Sequence, residues 1–210
     1  MLAQRGEFGV IGGGSYYVGD INPGMPFSMT SPAYGILYRY NLNQRLTLRG
    51  TFWHGNLKSN DLTAGNTPER LWSFDASVNE ISTQLELNFL PYITGGLNSV
   101  FSPYLFGGAA LLFGSGVSNA GGYNILIPAM PFGMGIKLSL TKRLCFGGEW
   151  GYRKTLTDNI DNLPGRDIDD RQLSDMSNND WYSFAGVTLT YSLRLNDPKK
   201  CSDFQNKFGY

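Results

Sequence analysis

The sequence predicts an all-β protein: a transmembrane antiparallel up-and-down β-barrel of about eight strands. Apolar residues alternate with polar ones in segments long enough to cross a membrane as strands. Aromatic residues make up 14% of the chain, charged residues only 16%, and there are 27 glycines. That composition suits strands better than helices. Polar segments rich in Asn, Asp and Gly separate alternate strands, as the longer loops do in barrels of this kind.

Eight segments carry the alternation. The predicted strands cover residues 7–17, 33–40, 45–53, 80–89, 103–114, 127–140, 144–153 and 181–193. In the first, three glycines at 12–14 remove side chains from the wall, as occurs where a strand curves or another group approaches closely. The second alternates tyrosines and Ile36 with Gly35 and Arg39, and residues 41–44 turn it into the third.

The fourth strand has the clearest period of two. Its predicted lipid-facing residues are Ile81, Thr83, Leu85, Leu87 and Phe89. Its predicted inward residues are Glu80, Ser82, Gln84, Glu86 and Asn88. The sixth and seventh strands follow the same rule with glycines on the inner face, and the eighth alternates Val187, Leu189, Tyr191 and Leu193 with small polar residues. An apolar outer face and a polar inner face are what a lipid-embedded barrel requires.

The connections predict the orientation of the barrel. Long loops are predicted at 19–32, 56–77, 115–124 and 157–179, and turns at 41–44, 91–102 and 141–142. If the turns are periplasmic, both termini are periplasmic and the long loops lie outside the cell. Residues 1–195 form the barrel in this interpretation, and residues 196–210 form a periplasmic C-terminal tail.

Overall charge and hydropathy narrow the function classes. The formal net charge is zero and no basic run appears, which argues against nucleic-acid binding. The sequence has no uninterrupted apolar run of roughly 18 residues, so a transmembrane helix is not predicted. A mean hydropathy of −0.22 does not exclude a membrane barrel, because inward polar residues dilute every window.

The N-terminus bears on localisation. Leu2, Ala3 and Gln4 resemble the tail of a small-residue cleavage site, so we expect an export signal to have been removed and Gln4 to begin the mature protein. An ordinary cytosolic start is the alternative. The predicted location is the cell outer membrane, in contact with its lipid. A soluble lipocalin-like barrel, with apolar residues inside, is the competing interpretation, and the charged inward face argues against it.

Charged side chains of both signs fall on the predicted inner face. They are Glu7, Arg39, Arg49, Glu80, Glu86, Lys137, Glu149 and Arg153. A barrel of about eight strands has an interior only wide enough for side chains, so these groups are predicted to pair into a network that fills it. A narrow pore or relay is the functional interpretation. A polar core is favoured, because buried opposite charges need partners in either case.

Catalysis has little support in the sequence. The single histidine, His54, could form a site with Ser59 or Asp61, as a base beside a nucleophile or carboxylate. A histidine next to Trp53 at a membrane boundary is more often an interfacial side chain. We therefore predict that the protein is not an enzyme and that it has no small-molecule substrate.

No cofactor or metal is predicted either. Two distant cysteines and one histidine lack the spacing of a metal site. The acidic stretch 158–175 could attract calcium, but Asp167, Asp169 and Asp170 do not have the spacing of an EF-hand loop. A solvated loop is the simpler interpretation of that stretch.

The tail beyond the last strand is the unusual part of the chain. Pro198 ends strand character, and the residues predicted to contact a periplasmic partner or the barrel base are Cys201, Phe204, Phe208 and Tyr210. Cys145 follows a turn at the same predicted edge, so it could pair with Cys201. An internal disulfide, a disulfide to another protein and two free thiols all stay open.

Several segments resemble a known family. They are residues 4–23, Pro32 to Gly35, Tyr38 to Tyr40 and Asn179 to Tyr182. Together they resemble the mature PorG-like outer-membrane proteins of the Bacteroidota type IX secretion system. The resemblance implies a non-enzymatic outer-membrane barrel that anchors or organises the periplasmic ring built by the lipoprotein PorK and by PorN. It carries over no catalytic motif and no contact residues.

Overall fold

A computed structural model describes residues 5–18, 29–60, 73–92, 100–141, 143–156, 160 and 180–194. Its eight strands are β1 Arg5–Val18, β2 Ser31–Asn41, β3 Leu46–Asn60, β4 Ser73–Asn88, β5 Phe101–Ser118, β6 Gly121–Ser139, β7 Leu144–Thr155 and β8 Trp181–Arg194. Within these ranges no helix has the length and apolar character needed to cross a membrane.

The strands close into a barrel in chain order. Each strand pairs antiparallel with the next, and β1 also pairs with β8. Glu7, for example, is opposite Arg39 on one side and Ser192 on the other. Closure lets neighbouring strands satisfy one another's backbone N–H and C=O groups, which a spanning structure in lipid requires. The predicted eight-stranded up-and-down barrel is confirmed.

The alternation places opposite chemistry on the two faces of the wall. On β4, Ile81 is 55% exposed and Leu87 is 50% exposed, whereas Glu80 and Glu86 are fully buried. The same pattern recurs on β8, where Val187 and Leu189 are exposed and Thr188 is buried. Along these stretches the apolar face is outside and the polar face inside, the reverse of a soluble barrel.

Two predicted loops are wrong at their boundaries. β3 continues to Asn60 and β4 begins at Ser73. Residues 56–60 and 73–77, at the two ends of the predicted loop 56–77, are therefore strand. The predicted loop 115–124 is a tight turn at Asn119 and Ala120 between β5 and β6. Gly121, which follows this turn, has a φ of 114°, a conformation that glycine adopts without steric cost.

The physical reason for these errors is cross-strand pairing. The two largely polar segments 56–60 and 73–77 pair with each other over five consecutive rungs, from Asn56 with Ser77 to Asn60 with Ser73. Their inward neighbours Leu57, Phe74 and Ala76 are buried. Pairing and burial outweigh the low intrinsic strand preference of Asn, Asp and Ser.

The interior of the barrel divides into two layers. The charged layer extends from the turns that join β2 to β3 and β6 to β7 as far as the ion pair of Glu80 and Arg153, and consists of Glu7, Arg39, Arg49, Glu80, Glu86, Lys137, Glu149 and Arg153. The apolar layer lies toward the opposite end, and its members include Tyr17, Leu57, Phe74, Ala76, Val78, Leu112, Ile125, Ile127 and Ile160. The apolar layer was not predicted, because residues 56–60 and 73–77, which form part of it, have the polar composition of a loop.

Candidate functional site

Glu86 is the centre of the charged layer. Its Oε1 lies 3.0 Å from Arg39 Nε and 3.1 Å from Arg49 Nη1, and its Oε2 lies 2.5 Å from Lys137 Nζ. Arg39 and Arg49 are directly opposite each other on β2 and β3, so their like charges would repel without an anion between them. One buried carboxylate therefore holds three buried cations together.

Glu149 extends this cluster across the barrel. Its carboxylate forms an ion pair with Arg49, and accepts a hydrogen bond from Tyr104 Oη at 2.9 Å. Arg49 also donates to the side-chain oxygen of Gln84. The ammonium of Lys137 lies 4.8 Å from the centre of the Tyr104 ring. The aromatic ring and the ion pairs thus occupy the same cross-section of the interior.

A second ion pair lies nearer the apolar layer. Arg153 Nε is 3.3 Å from Glu80 Oε2, which also accepts a hydrogen bond from Tyr182 Oη at 2.8 Å. The guanidinium of Arg153 lies 5.4 Å from the Phe184 ring centre and 6.0 Å from that of Trp53. Such cation–π packing shields a buried charge from apolar surroundings.

Glu7 lies at the end of the interior where β1 begins and β8 ends. It accepts hydrogen bonds from Asn41 Nδ2 at 2.9 Å and from Thr190 Oγ1 at 3.2 Å. Lys137 donates to Asn88 Oδ1 at 3.0 Å near the same end. All eight residues predicted for the inner charged face are buried, and they comprise four carboxylates and four cations. Their formal charges balance inside the wall.

Glycines on β6 and β7 make room for the aromatic rings of the charged layer. A Cβ atom at Gly135 would lie 2.5 Å from the ring of Tyr104, and one at Gly151 would lie 2.6 Å from the ring of Phe106. Real Cβ atoms do not approach other atoms so closely, so these positions require glycine. In the sequence, the glycines predicted on the inner faces of neighbouring strands are the signal that could have indicated the inward rings of Tyr104 and Phe106.

The arrangement fills the cross-section with paired charges and rings. An eight-stranded barrel offers an interior about the width of its own side chains. Moving an ion through this region would require breaking buried ion pairs, each of which costs several kcal/mol when one partner is removed. The charged layer is therefore suited to holding the wall closed rather than to conduction.

The candidate pairing of His54 with Ser59 does not form. His54 is half-buried on the outer face, where Nδ1 lies 3.1 Å from Asn79 Oδ1 and the ring centre lies 5.6 Å from that of Tyr34. Ser59 is five positions further along β3 and is buried on the inner face. An odd separation on a strand puts the two side chains on opposite sides of the wall. Asp61, the other candidate, lies outside the described residues.

Of the two cysteines, Cys145 lies within the described residues. Cys145 is a free, fully buried thiol on the inner face, and its Sγ lies 3.5 Å from the Phe146 carbonyl oxygen. A disulfide with Cys201 would require the tail to enter the barrel interior. Cys201, Phe204, Phe208 and Tyr210 lie outside the described residues, as do Asp167, Asp169 and Asp170. The described part of the chain contains no group of three His, Cys, Asp or Glu that could hold a metal ion.

Fold and interior define the class: an eight-stranded β-barrel of the outer-membrane type whose interior is filled by a charged layer and an apolar layer. Solved structures with this fold include the N-terminal β-barrel domain of Pseudomonas aeruginosa OprF (12% identity, 91% of this chain and 98% of that chain, TM-score 0.53). Neisserial surface protein A is similar at 12% identity, 90% and 97% coverage and a TM-score of 0.56. Ail, the attachment invasion locus protein of Yersinia pestis, is similar at 11% identity, 91% and 100% coverage and a TM-score of 0.53.

The chain belongs to the family described as "Domain of unknown function (DUF6089)", whose model matches residues 1–203. No curated protein matches it by sequence. The likeness to the solved barrels is one of fold, because identities near this level say nothing about shared ligands or partners.

Proposed function

We propose that this protein is a non-enzymatic outer-membrane component of the type IX secretion machinery. Its role is to anchor or organise the periplasmic ring of PorK and PorN at the outer membrane. The observation that carries the proposal is the closed interior, in which Glu86 holds Arg39, Arg49 and Lys137 within 2.5–3.1 Å. Because ion pairs fill its interior, such a barrel is better suited to anchoring a partner at the membrane through its surfaces than to conducting a solute.

The secretion-system assignment rests on the sequence resemblance of residues 4–23, Pro32 to Gly35 and Asn179 to Tyr182 to the PorG-like proteins. The partner contact is proposed for the C-terminal segment, which begins directly after β8. Its Cys201, Phe204, Phe208 and Tyr210 combine a thiol with aromatic anchors of the kind enriched at interfaces.

The test is a non-reducing pull-down from outer membranes with tagged protein. Wild type is compared with Cys201→Ser and with a truncation after Leu195, which leaves β8 intact to Arg194. Recovery of ring components from wild type, weakened in either variant, supports the proposal and places the contact on the tail. Asp75→Asn, an exposed change at the opposite end of the barrel, is the matched control and leaves recovery unchanged.

A barrel recovered without partners in any lane would overturn the anchoring role. The alternative is then a small outer-membrane barrel acting as a narrow pore or as a surface-binding protein. One of the similar solved structures is Ail in complex with the heparin analogue sucrose octasulfate, which illustrates surface binding by this fold. Single-channel conductance and binding of sulfated polysaccharide to cells separate these two alternatives.

A further inference from the structure

The polarity of the wall reverses along β3 and β4. Up to Phe52 on β3, and from Ile81 onward on β4, the outer face is apolar. Beyond them the outer residues are His54, Asn56 and Lys58 on β3, and Asn79, Ser77 and Asp75 on β4. Over the same stretch the inner face changes from Arg49, Glu86 and Glu80 to Leu57, Val78 and Phe74.

The reversal falls at the same place on both strands. His54 is directly opposite Asn79, and Trp53 is directly opposite Glu80. On the side of this rung that includes Arg49 and Glu86, the wall is polar inside and apolar outside, as a barrel in lipid is. From His54 on β3 and from Asn79 back to Ser73 on β4, these two strands are mainly apolar inside and polar outside, as in a water-soluble barrel. The cross-strand pair Lys58 and Asp75, with 2.7 Å between Nζ and Oδ2, is 39% and 57% exposed, as a water-facing ion pair is.

On the opposite side of the barrel, β7 and β8 have a cluster of aromatic residues on the outer face near the same end as His54 and Asn79. On the outer face of β7 and β8, the ring of Tyr152 lies 5.4 Å from that of Trp150 and 6.4 Å from that of Trp181. The ammonium of Lys154 lies 5.3 Å from the Trp181 ring centre. Clustered Trp and Tyr beside a lysine are typical of the membrane–water interface. The stretch from Trp181 to Tyr191 matches the roughly 9–11 residues that a tilted strand needs to cross the bilayer.

We infer that the bilayer ends at the His54–Asn79 rung and at the Trp181 cluster, and that the β3–β4 hairpin beyond this rung is an extramembrane wall. At about 3.3 Å per residue, Ser73 to Asn79 extends roughly 20 Å along the strand. This wall contacts water outside and the apolar layer inside. The inference concerns the end of the barrel away from the proposed periplasmic contact and is independent of the secretion role.

One described residue of the β7–β8 connection packs into the apolar layer. Ile160 is fully buried in it. The Ile160 N–H donates to Asp180 Oδ2 at 2.9 Å, and the Ile160 carbonyl accepts from Tyr123 Oη at 2.5 Å. Tyr17 Oη donates to the other oxygen of Asp180. This set, which we name the Asp180 latch, holds Ile160 of the β7–β8 connection against the apolar side chains.

The test uses the full chain in lipid vesicles, in a Cys145→Ser, Cys201→Ser background. Ser77→Cys and Ile81→Cys are a matched pair, because both residues are exposed on the outer face of β4, two positions on either side of Asn79. A spin label at each site is assayed for collision with a water-soluble nickel chelate and with oxygen. We expect the nickel complex to broaden the Ser77 label and oxygen to broaden the Ile81 label.

Two outcomes overturn the inference. Oxygen-dominated broadening at both sites would put the bilayer edge beyond Ser77, and nickel-dominated broadening at both would put it below Ile81. If the cysteine-free background fails to fold, Ser77→Lys and Ile81→Lys in the native background decide the same question. A charge on lipid-facing surface destabilises a barrel, so loss of the heat-modifiable gel shift in Ile81→Lys alone supports the inference, and loss in both or in neither contradicts it.

Discussion

The two layers of the interior are built on the same strands yet have opposite chemistry. In the charged layer, Glu86, Arg49 and Lys137 are buried behind an outer face of Leu85, Leu87 and Ile136. In the apolar layer, Leu57, Phe74 and Val78 are buried behind outer residues such as Lys58 and Asp75. On β3 and β4, polar side chains thus point inward beside the charged layer and outward beside the apolar layer, the arrangement expected where lipid surrounds the first stretch and water the second.

The difference also shows what stabilises each layer. The charged layer depends on pairing, because an unpartnered buried charge is costly. The apolar layer depends on close packing, because lost contacts there leave cavities. A substitution should therefore have very different effects in the two layers, according to whether it removes charge or volume.

The largest effect is expected in the charged layer. Glu86→Gln leaves Arg39, Arg49 and Lys137 without their shared carboxylate, and breaking a buried pair in this way costs about 3–5 kcal/mol. Urea unfolding in vesicles, followed by the folded-to-unfolded gel shift, measures the change. Asp75→Asn removes one partner of the exposed pair with Lys58 and is the matched control, with an expected cost of about 0–1 kcal/mol. Equal losses would show that the charged layer is not held by its ion pairs.

The next largest effect is expected in the apolar layer. Leu57→Ala removes a fully buried side chain, and such truncations cost about 2–5 kcal/mol. The same unfolding assay measures it. Leu126→Ala, at a side chain 70% exposed on the outer face of β6, serves as control and should cost far less. A near-neutral Leu57→Ala would mean that the apolar layer is not packed as a core.

A smaller effect tests the fit of the rings in the charged layer. Gly135→Ala places a methyl group 2.5 Å from the Tyr104 ring, and overpacking of this kind costs about 1–3 kcal/mol. At Gly148, on the outer face of β7, the nearest atom to an added methyl is Ile136 Cγ1 at 3.8 Å. Gly148→Ala should therefore be neutral or slightly stabilising. If the two variants unfold at the same urea concentration, the ring of Tyr104 is not confined as described.

The smallest effect on global stability is expected at the Asp180 latch. Asp180→Asn weakens the acceptor for Ile160 N–H and Tyr17 Oη, a loss of about 1–2 kcal/mol. Because the latch holds Ile160 against the apolar layer and has no part in the charged layer, we expect faster proteolysis of the β7–β8 connection while the gel shift of the barrel is retained. Limited proteolysis of wild type and variant in vesicles checks this. Unchanged cleavage would show that the latch does not restrain the connection.

Much of the charged half of the barrel was predictable from the sequence. The period of two on β4 identified Glu80 and Glu86 as inward residues and Ile81 and Leu87 as outward ones, because a strand admits only two side-chain directions. Strand number and closure followed from the repeated length of such segments. The same rule shows why His54 and Ser59 cannot meet, since their odd separation was already present in the sequence.

What only the tertiary structure decided is which partners these residues find across the barrel. Glu86 is on β4, Lys137 on β6 and Arg39 on β2, so their meeting depends on closure and register, and these arise from contacts distant in sequence. The apolar layer was hidden for a related reason: Leu57, Phe74 and Ala76 lie among Asn, Ser and Asp that look like loop residues until pairing places them on opposite faces. Local sequence determines which way a side chain points, whereas the environment it meets is determined by the closed fold and by the lipid or water around it.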